Sequence, residues 1–164
     1  MLSCNLVLLR LVEFRDAALI YDWERDDEIL SYTARDEPLT IDLIESIIKE
    51  QRSVFDSGQV RFLICKQLSN IPVGMVDLYN IDFDQEKAEV GIAIIEKVNR
   101  QKGFASAALK LIHEYADRVL GIHYLTAFVE MDNMASNTLF KNSGYKMVDS
   151  AVSDMKMNVF KIEF

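Results

Sequence analysis

The chain has little that invites covalent, redox or metal chemistry. Two cysteines, Cys4 and Cys65, cannot build a disulfide framework, and with no CxxC pair and no adjacent histidine they read as packed thiols in a reducing cytoplasm. The two histidines, His113 and His123, lack partners at metal or triad spacing, so both read as packing or surface residues and no metal is expected. No run approaches the roughly 20 apolar residues of a membrane span. Residues 6–9 are too short, and lack the basic flank, for a signal-peptide core, so neither membrane association nor export is expected. Basic residues are also scarce: 18 Lys and Arg stand against 26 Asp and Glu, a net charge of −8. That balance argues against general nucleic-acid binding, which draws on counterion release to a basic surface. An acidic surface can draw a cationic amine, but acidity that serves solubility alone is the commoner case. With two prolines, six glycines and no repeat or low-complexity tract, the 164 residues read as a single domain, 1–164, large enough for its own core.

What is present is half hydrophobic and patterned. Residues 6–11 form an apolar strand, and 14–23 a short helix with Asp16 in its first turn, where a carboxylate is favourable. Acidic, turn-prone residues follow. Thr40 is a good N-cap for a helix running to about Phe55, with Ile41, Ile44, Ile47 and Ile48 as its apolar stripe. Strands are predicted at 60–67, 73–79, 87–95, 124–130, 145–148 and 155–164, separated by turn residues such as Ser69, Asn70 and Pro72. Helices intervene from Ala105 to a C-cap at Gly121, and from about Asn133 to Gly144. The expected fold is α/β (α+β), a mixed sheet of six or seven strands with helices on both faces.

Residues 100–106 are the most informative stretch: Arg100, Gln101, Lys102, Gly103, Phe104, Ala105 and Ser106 form a basic turn between a buried strand and an amphipathic helix. Such a turn leaves backbone N–H groups unpartnered at the positive end of the helix dipole, a seat for a phosphate. Gly103 permits close approach, and Arg100 and Lys102 add charge. Neither a Walker loop nor a three-glycine dinucleotide fingerprint is present.

The turn has a companion some thirty residues on, in residues 133–145. Arg/Gln, two residues, Gly, one residue, Gly/Ala, then a strand, then Asn, two residues, Ser/Ala and a later Gly-aromatic pair is a pattern that resembles the GNAT acetyltransferases. Arg100, Gly103 and Ala105 match its first part; Asn133, Ser136, Gly144 and Tyr145 match the second. Leu8, Leu9 and Arg10, followed by Asp16, Tyr21, Trp23, Asp26 and Glu28, are similar to the branch containing ribosomal-protein N-terminal and spermidine acetyltransferases. The likeness spans residues 6–164 and implies a GNAT-like, mostly antiparallel sheet.

It also implies acetyl transfer from acetyl-CoA to a primary amine, a small amine, polyamine or protein N-terminus, by direct attack without an enzyme nucleophile. Homodimerisation is implied as well. On this resemblance the CoA pyrophosphate sits on the amides of residues 101–105, with Arg100 and Ser106 beside them. The pantetheine arm runs along the strand ending at Ile94 and Ile95, where an amide near Ala93 or Ile94 polarises the thioester carbonyl. Asn133, Asn137 and Phe140 complete the cofactor contacts, although Asn133 as a plain helix N-cap would look identical in sequence. Glu89 is the candidate proton acceptor, acting through water; a solvent-facing strand residue is the other reading. Many relatives carry a tyrosine where this chain has Phe140, which cannot donate a proton. That leaves Ser136 or water, or Tyr145 from an unusual direction, to protonate the thiolate, or else a non-catalytic acyl-CoA-binding sensor or interaction domain. Trp23, Tyr32 and Tyr79 are candidate acceptor-pocket walls.

Overall fold

In the computed structural model, which describes residues 2–31, 37–148 and 156–164, the apolar runs pair into one eight-stranded sheet. Its strands are β1 (Leu2–Ser3), β2 (Val7–Leu11), β3 (Val60–Lys66), β4 (Pro72–Asp82), β5 (Lys87–Ile94), β6 (Tyr124–Glu130), β7 (Lys146–Val148) and β8 (Met157–Glu163), in the order β1-β2-β3-β4-β5-β6-β8-β7. All neighbours are antiparallel except β5 and β6. The mixed, mostly antiparallel sheet is as expected from the sequence. The eighth strand is β1, whose two residues pair with Leu8 and Leu9 and carry too little pattern to be read in advance. The last strand was expected from Met155, which lies outside the described residues.

The helices are α1 (Ala17–Trp23), α2 (Asp27–Ser31), α3 (Ile41–Glu50), α4 (Val54–Ser57), α5 (Phe104–Tyr115) and α6 (Met134–Asn142). Thr40 caps α3 by accepting from the Leu43 N–H at 3.3 Å. The helix stops at Glu50, short of the expected Phe55, and a separate turn of helix, α4, follows. The five residues of α2 were read only as turn.

Helices cover both faces of the sheet. On one, Ile20 of α1 and Ile44 and Ile48 of α3 pack against Leu63, Cys65 and Met75. On the other, Ala108, Leu109 and Ile112 of α5 pack with Leu9, Phe62, Val76 and Leu78. Leu109 and Ile112 are fully buried, each burial worth about 2–3 kcal/mol. Asp16 is more than a helix-start carboxylate: it is buried and takes a two-pronged ion pair from Arg10 at 2.7 and 2.8 Å, tying the start of α1 to β2. Among the described residues no helix is long and apolar enough to cross a membrane.

The feature that positions the site is a fork in the sheet. β5 stays paired with β4 up to Ile94, but it pairs with β6 only from Lys87 to Glu89, against Tyr124 to Thr126. Beyond Glu89 and Thr126 the two strands part, while β6 remains zipped to β8 as far as Glu130.

Candidate active site

The fork opens into a cleft of about 1430 Å³. One wall is the freed length of β5, Val90 to Ile94; the other is the end of β6 and the start of α6; the loop before α5 closes one end. Register decides which β5 amides face the opening. The Ile95 N–H donates to Val73 O at 3.0 Å, so Gly74 and Ile94 form a pair that exchanges no ladder bonds. Alternation then turns the amides of Ile92 and Ile94 away from β4, into the fork, and that of Ala93 towards β4. Of the amides of Ala93 and Ile94, that of Ile94 is the one that faces the fork. Ile95 is committed elsewhere: its N–H is on Val73 and its carbonyl accepts from Arg100 at 2.8 Å.

At the closed end, α5 begins at Gly103 with φ +81°, and no side chain caps it. The first intrahelical bond there runs from the Ala107 N–H to Gly103 O, so the amides of Phe104, Ala105 and Ser106 have no partner within the helix. Gln101 also lies in the left-handed region, at φ +57°, and it lines the cleft with Gly103, Phe104, Ala105 and Ser106. The basic side chains behave differently from expectation. Lys102 is exposed and outside the cleft wall. Arg100 lines the cleft, but its guanidinium is spent on Ile94 O at 3.0 Å, Ile95 O at 2.8 Å and Glu28 at 2.6 Å. The cradle is therefore a main-chain one.

Across the fork, Asn133 is an N-cap, its Oδ1 accepting from the Ser136 N–H at 3.0 Å, and it lines the cleft. Ser136 lines it too, half-buried, with a hydroxyl that bonds to nothing among the described residues. Asn137 does not join them. It is buried under the cleft wall, donating to Glu130 O at 2.9 Å and Asn133 O at 2.8 Å and accepting from Asn158 at 2.7 Å, so its expected cofactor contact is replaced by anchoring α6 to β6 and β8. Phe140 lines the cleft from the core, stacked on Phe160 and edge-on to Tyr145. Tyr145 does not reach in from its far side: its hydroxyl lies 3.0 Å from His113 Nε2, with burial holding the phenol above its ordinary pKa.

Glu89 stands at the crotch of the fork, half-buried, opposite Tyr79 on β4 and Thr126 on β6. The cleft wall itself begins one residue later, at Val90. Tyr79 does line the cleft. Its pKa is pushed up to about 12, by burial first and then by the carboxylates of Glu89 and Asp77. Trp23 instead packs against the core beneath α1 and α3, and Tyr32 lies outside the described residues.

One charged group on the cleft wall has no counterpart among the motif residues. Arg61 grips Asp77 with two bonds, 2.8 and 2.6 Å, and reaches Glu24 at 3.5 Å; all three line the cleft. Burial works against the Arg61 charge, Asp77 outweighs it, and the guanidinium pKa is raised. A charged residue inside each of two apolar strands was the available signal.

His113 carries a pH prediction. Burial pushes its pKa down to about 4 from 6.5, so between those values the unfolded chain binds a proton that the folded one refuses. Stability is expected to be complete above pH 6.5 and to fall towards pH 4, by up to about 3 kcal/mol. Urea unfolding of His113→Gln against the parent chain checks this: equal slopes with pH in both proteins would remove the assignment.

A family model described as acetyltransferase (GNAT) domain matches residues 6–146, most of the chain. The chain belongs to the GNAT family. Solved structures share the GNAT fold across nearly its whole length. Spermidine N-acetyltransferase from Vibrio cholerae, in complex with CoA and spermine, superposes with a TM-score of 0.83 at 20% identity, covering 98% of this chain and 96% of that one. The RimL ribosomal L7/L12 alpha-N-protein acetyltransferase, in complex with CoA, gives 0.80 at 16% identity, with 98% and 96% covered. A GNAT-family acetyltransferase from Bacillus anthracis gives 0.77 at 16% identity, with 99% and 97% covered. Identities this low speak for the fold and leave the acceptor open.

Proposed function

We propose that this acetyltransferase moves the acetyl group of acetyl-CoA to a primary amine by direct attack within a ternary complex. The observation that supports this most strongly is a pair of backbone donor sets bordering one cleft, free of helix and ladder bonds among the described residues: the first-turn amides of α5, and the amides of Ile92 and Ile94 in the fork. The first set suits a diphosphate. The second suits an extended chain of amides lying along β5, with the Ile94 N–H on the thioester oxygen as negative charge develops there.

In this reading the neutral amine forms the C–N bond, the C–S bond breaks, and the amine's proton passes through water to Glu89. Ser136 or water returns a proton to the departing thiolate, since Phe140 has none to give. A CoA thiolate leaves readily enough near neutral pH for a weak acid to serve. The acceptor is a small amine, a polyamine or a protein N-terminus. The spermine-bound relative makes polyamines the first to try.

The test is release of free thiol from acetyl-CoA across a panel of polyamines, monoamines and N-terminal peptides. Amine-dependent turnover is expected. Tight CoA binding without turnover on any acceptor would instead favour an acyl-CoA sensor, the reading that Phe140 motivates. The cradle has its own check. Gly103→Val forbids φ +81° and adds side-chain bulk near Leu6, whose Cδ2 lies 3.4 Å from where a Cβ would stand. CoA affinity measured by titration calorimetry is expected to fall about 30-fold, or about 2 kcal/mol, in a folded variant. Unchanged affinity would place the diphosphate elsewhere.

A further inference from the structure

Three protein acceptors hold the Arg100 guanidinium, which makes it the most heavily tied side chain in the cradle. Two of its bonds run to consecutive carbonyls at the end of β5, Ile94 O and Ile95 O, directly after the amide assigned to the thioester. The third crosses 72 residues of sequence to Glu28 at 2.6 Å, and Lys97 adds a second contact to the same carboxylate at 3.4 Å. Glu28 belongs to α2, which is only five residues long.

A helix that short does not hold itself, because nucleation costs more than one turn of hydrogen bonds returns. At its start Asp26 Oδ1 accepts from the amides of Glu28 and Ile29, and Ile29 is buried. Ile29 also lines the cleft, beside Glu24, Arg61 and Met75, on the side away from α6. The order of α2 therefore shapes one wall of the cleft, and the Arg100–Glu28 bridge, with Lys97 beside it, ties α2 electrostatically to the loop that holds the cradle.

We infer that Arg100 is a positioning residue through which occupation of the phosphate cradle firms α2, by way of Glu28. The inference rests on the acetyl-CoA reading above. An anion held by residues 101–106 restricts the backbone that begins at Arg100. The guanidinium, already fixed on two carbonyls, then presents a stiffer partner to Glu28, and α2 opens less often. This is a coupling of local order rather than a change of shape, and amide exchange is the observable that reports it.

Hydrogen exchange of a peptide covering residues 24–31 is measured with and without saturating CoA, alongside the CoA dissociation constant. In the parent protein CoA is expected to slow exchange about fivefold. In Glu28→Ala, CoA affinity should stay within about threefold while the slowing shrinks below about 1.5-fold. Glu28→Gln, which can still accept from Arg100 Nη1, should recover about twofold. A merely structural tie gives a different result: exchange in Glu28→Ala is faster overall, and CoA slows it by the same factor as in the parent. That outcome, or no slowing in a parent protein that demonstrably binds CoA, overturns the coupling and leaves the acetyl-CoA reading standing. Failure of the parent to bind CoA at all removes both.

Discussion

Gly74→Ala is expected to cost about 3 kcal/mol of stability and to reduce turnover at least 100-fold in whatever protein remains folded. A Cβ at this position would stand 2.1 Å from Ala93 O and 3.1 Å from Ala93 C, with Ile94 Cδ1 at 3.0 Å. The first two are backbone atoms of the neighbouring strand and cannot rotate aside, so β4 and β5 must separate locally. Overpacking of this kind costs 1–3 kcal/mol where side chains can adjust, and here the upper end applies. The catalytic consequence follows from position. Gly74 pairs with Ile94, whose amide faces the fork, and a shift of about 1 Å in a group that orients a reacting carbonyl is enough for a 100-fold loss. Urea unfolding and thiol release on the same preparation test both halves. A variant within 1 kcal/mol of the parent and fully active would show that Ile94 is not held by this pairing.

That position shows what a sequence can and cannot reveal about such a site. The seven longer strands were legible because apolar runs alternate with turn residues, and α5 because Ala108, Leu109 and Ile112 recur on one face. The start of α5 at Gly103 was legible too, because a glycine turn there runs straight into the apolar stripe of the helix. The fork was not. Residues 90–95 read as the same buried strand whether a neighbour pairs with them or departs, and only the register of β5 with β6 shows that pairing stops at Glu89. Side-chain partners across long gaps were hidden for the same reason. Arg61 and Asp77 meet because the β3–β4 hairpin sets them opposite each other, and Arg100 meets Glu28 across 72 residues of sequence. Asn137 is an expected cofactor contact by resemblance, but it is buried and its side chain anchors α6 to β6 and β8. Residue type suggested its chemistry, and burial assigned its use.

Glu89→Gln is the substitution with the largest expected effect on the chemical step. An alkyl ammonium with an ordinary pKa near 10 is neutral in only about one molecule per thousand at pH 7, so a residue that removes its proton within the complex governs how much attacks. The fork makes Glu89 the last β5 residue paired on both sides, and alternation puts it on the same sheet face as Gly91 and Asp77, with Tyr79 opposite. Glutamine keeps the shape and loses the base. At pH 7 kcat is expected to fall 100- to 1000-fold, with the CoA dissociation constant unchanged. The surviving rate should then climb about tenfold per pH unit as bulk solvent deprotonates the acceptor, approaching the parent's rate near pH 9 to 10. Rate–pH profiles of the two proteins with one amine decide the matter. A variant that stays within threefold of the parent at pH 7 would return Glu89 to the role of a half-exposed strand residue, and would leave water held by the cleft wall as the proton acceptor.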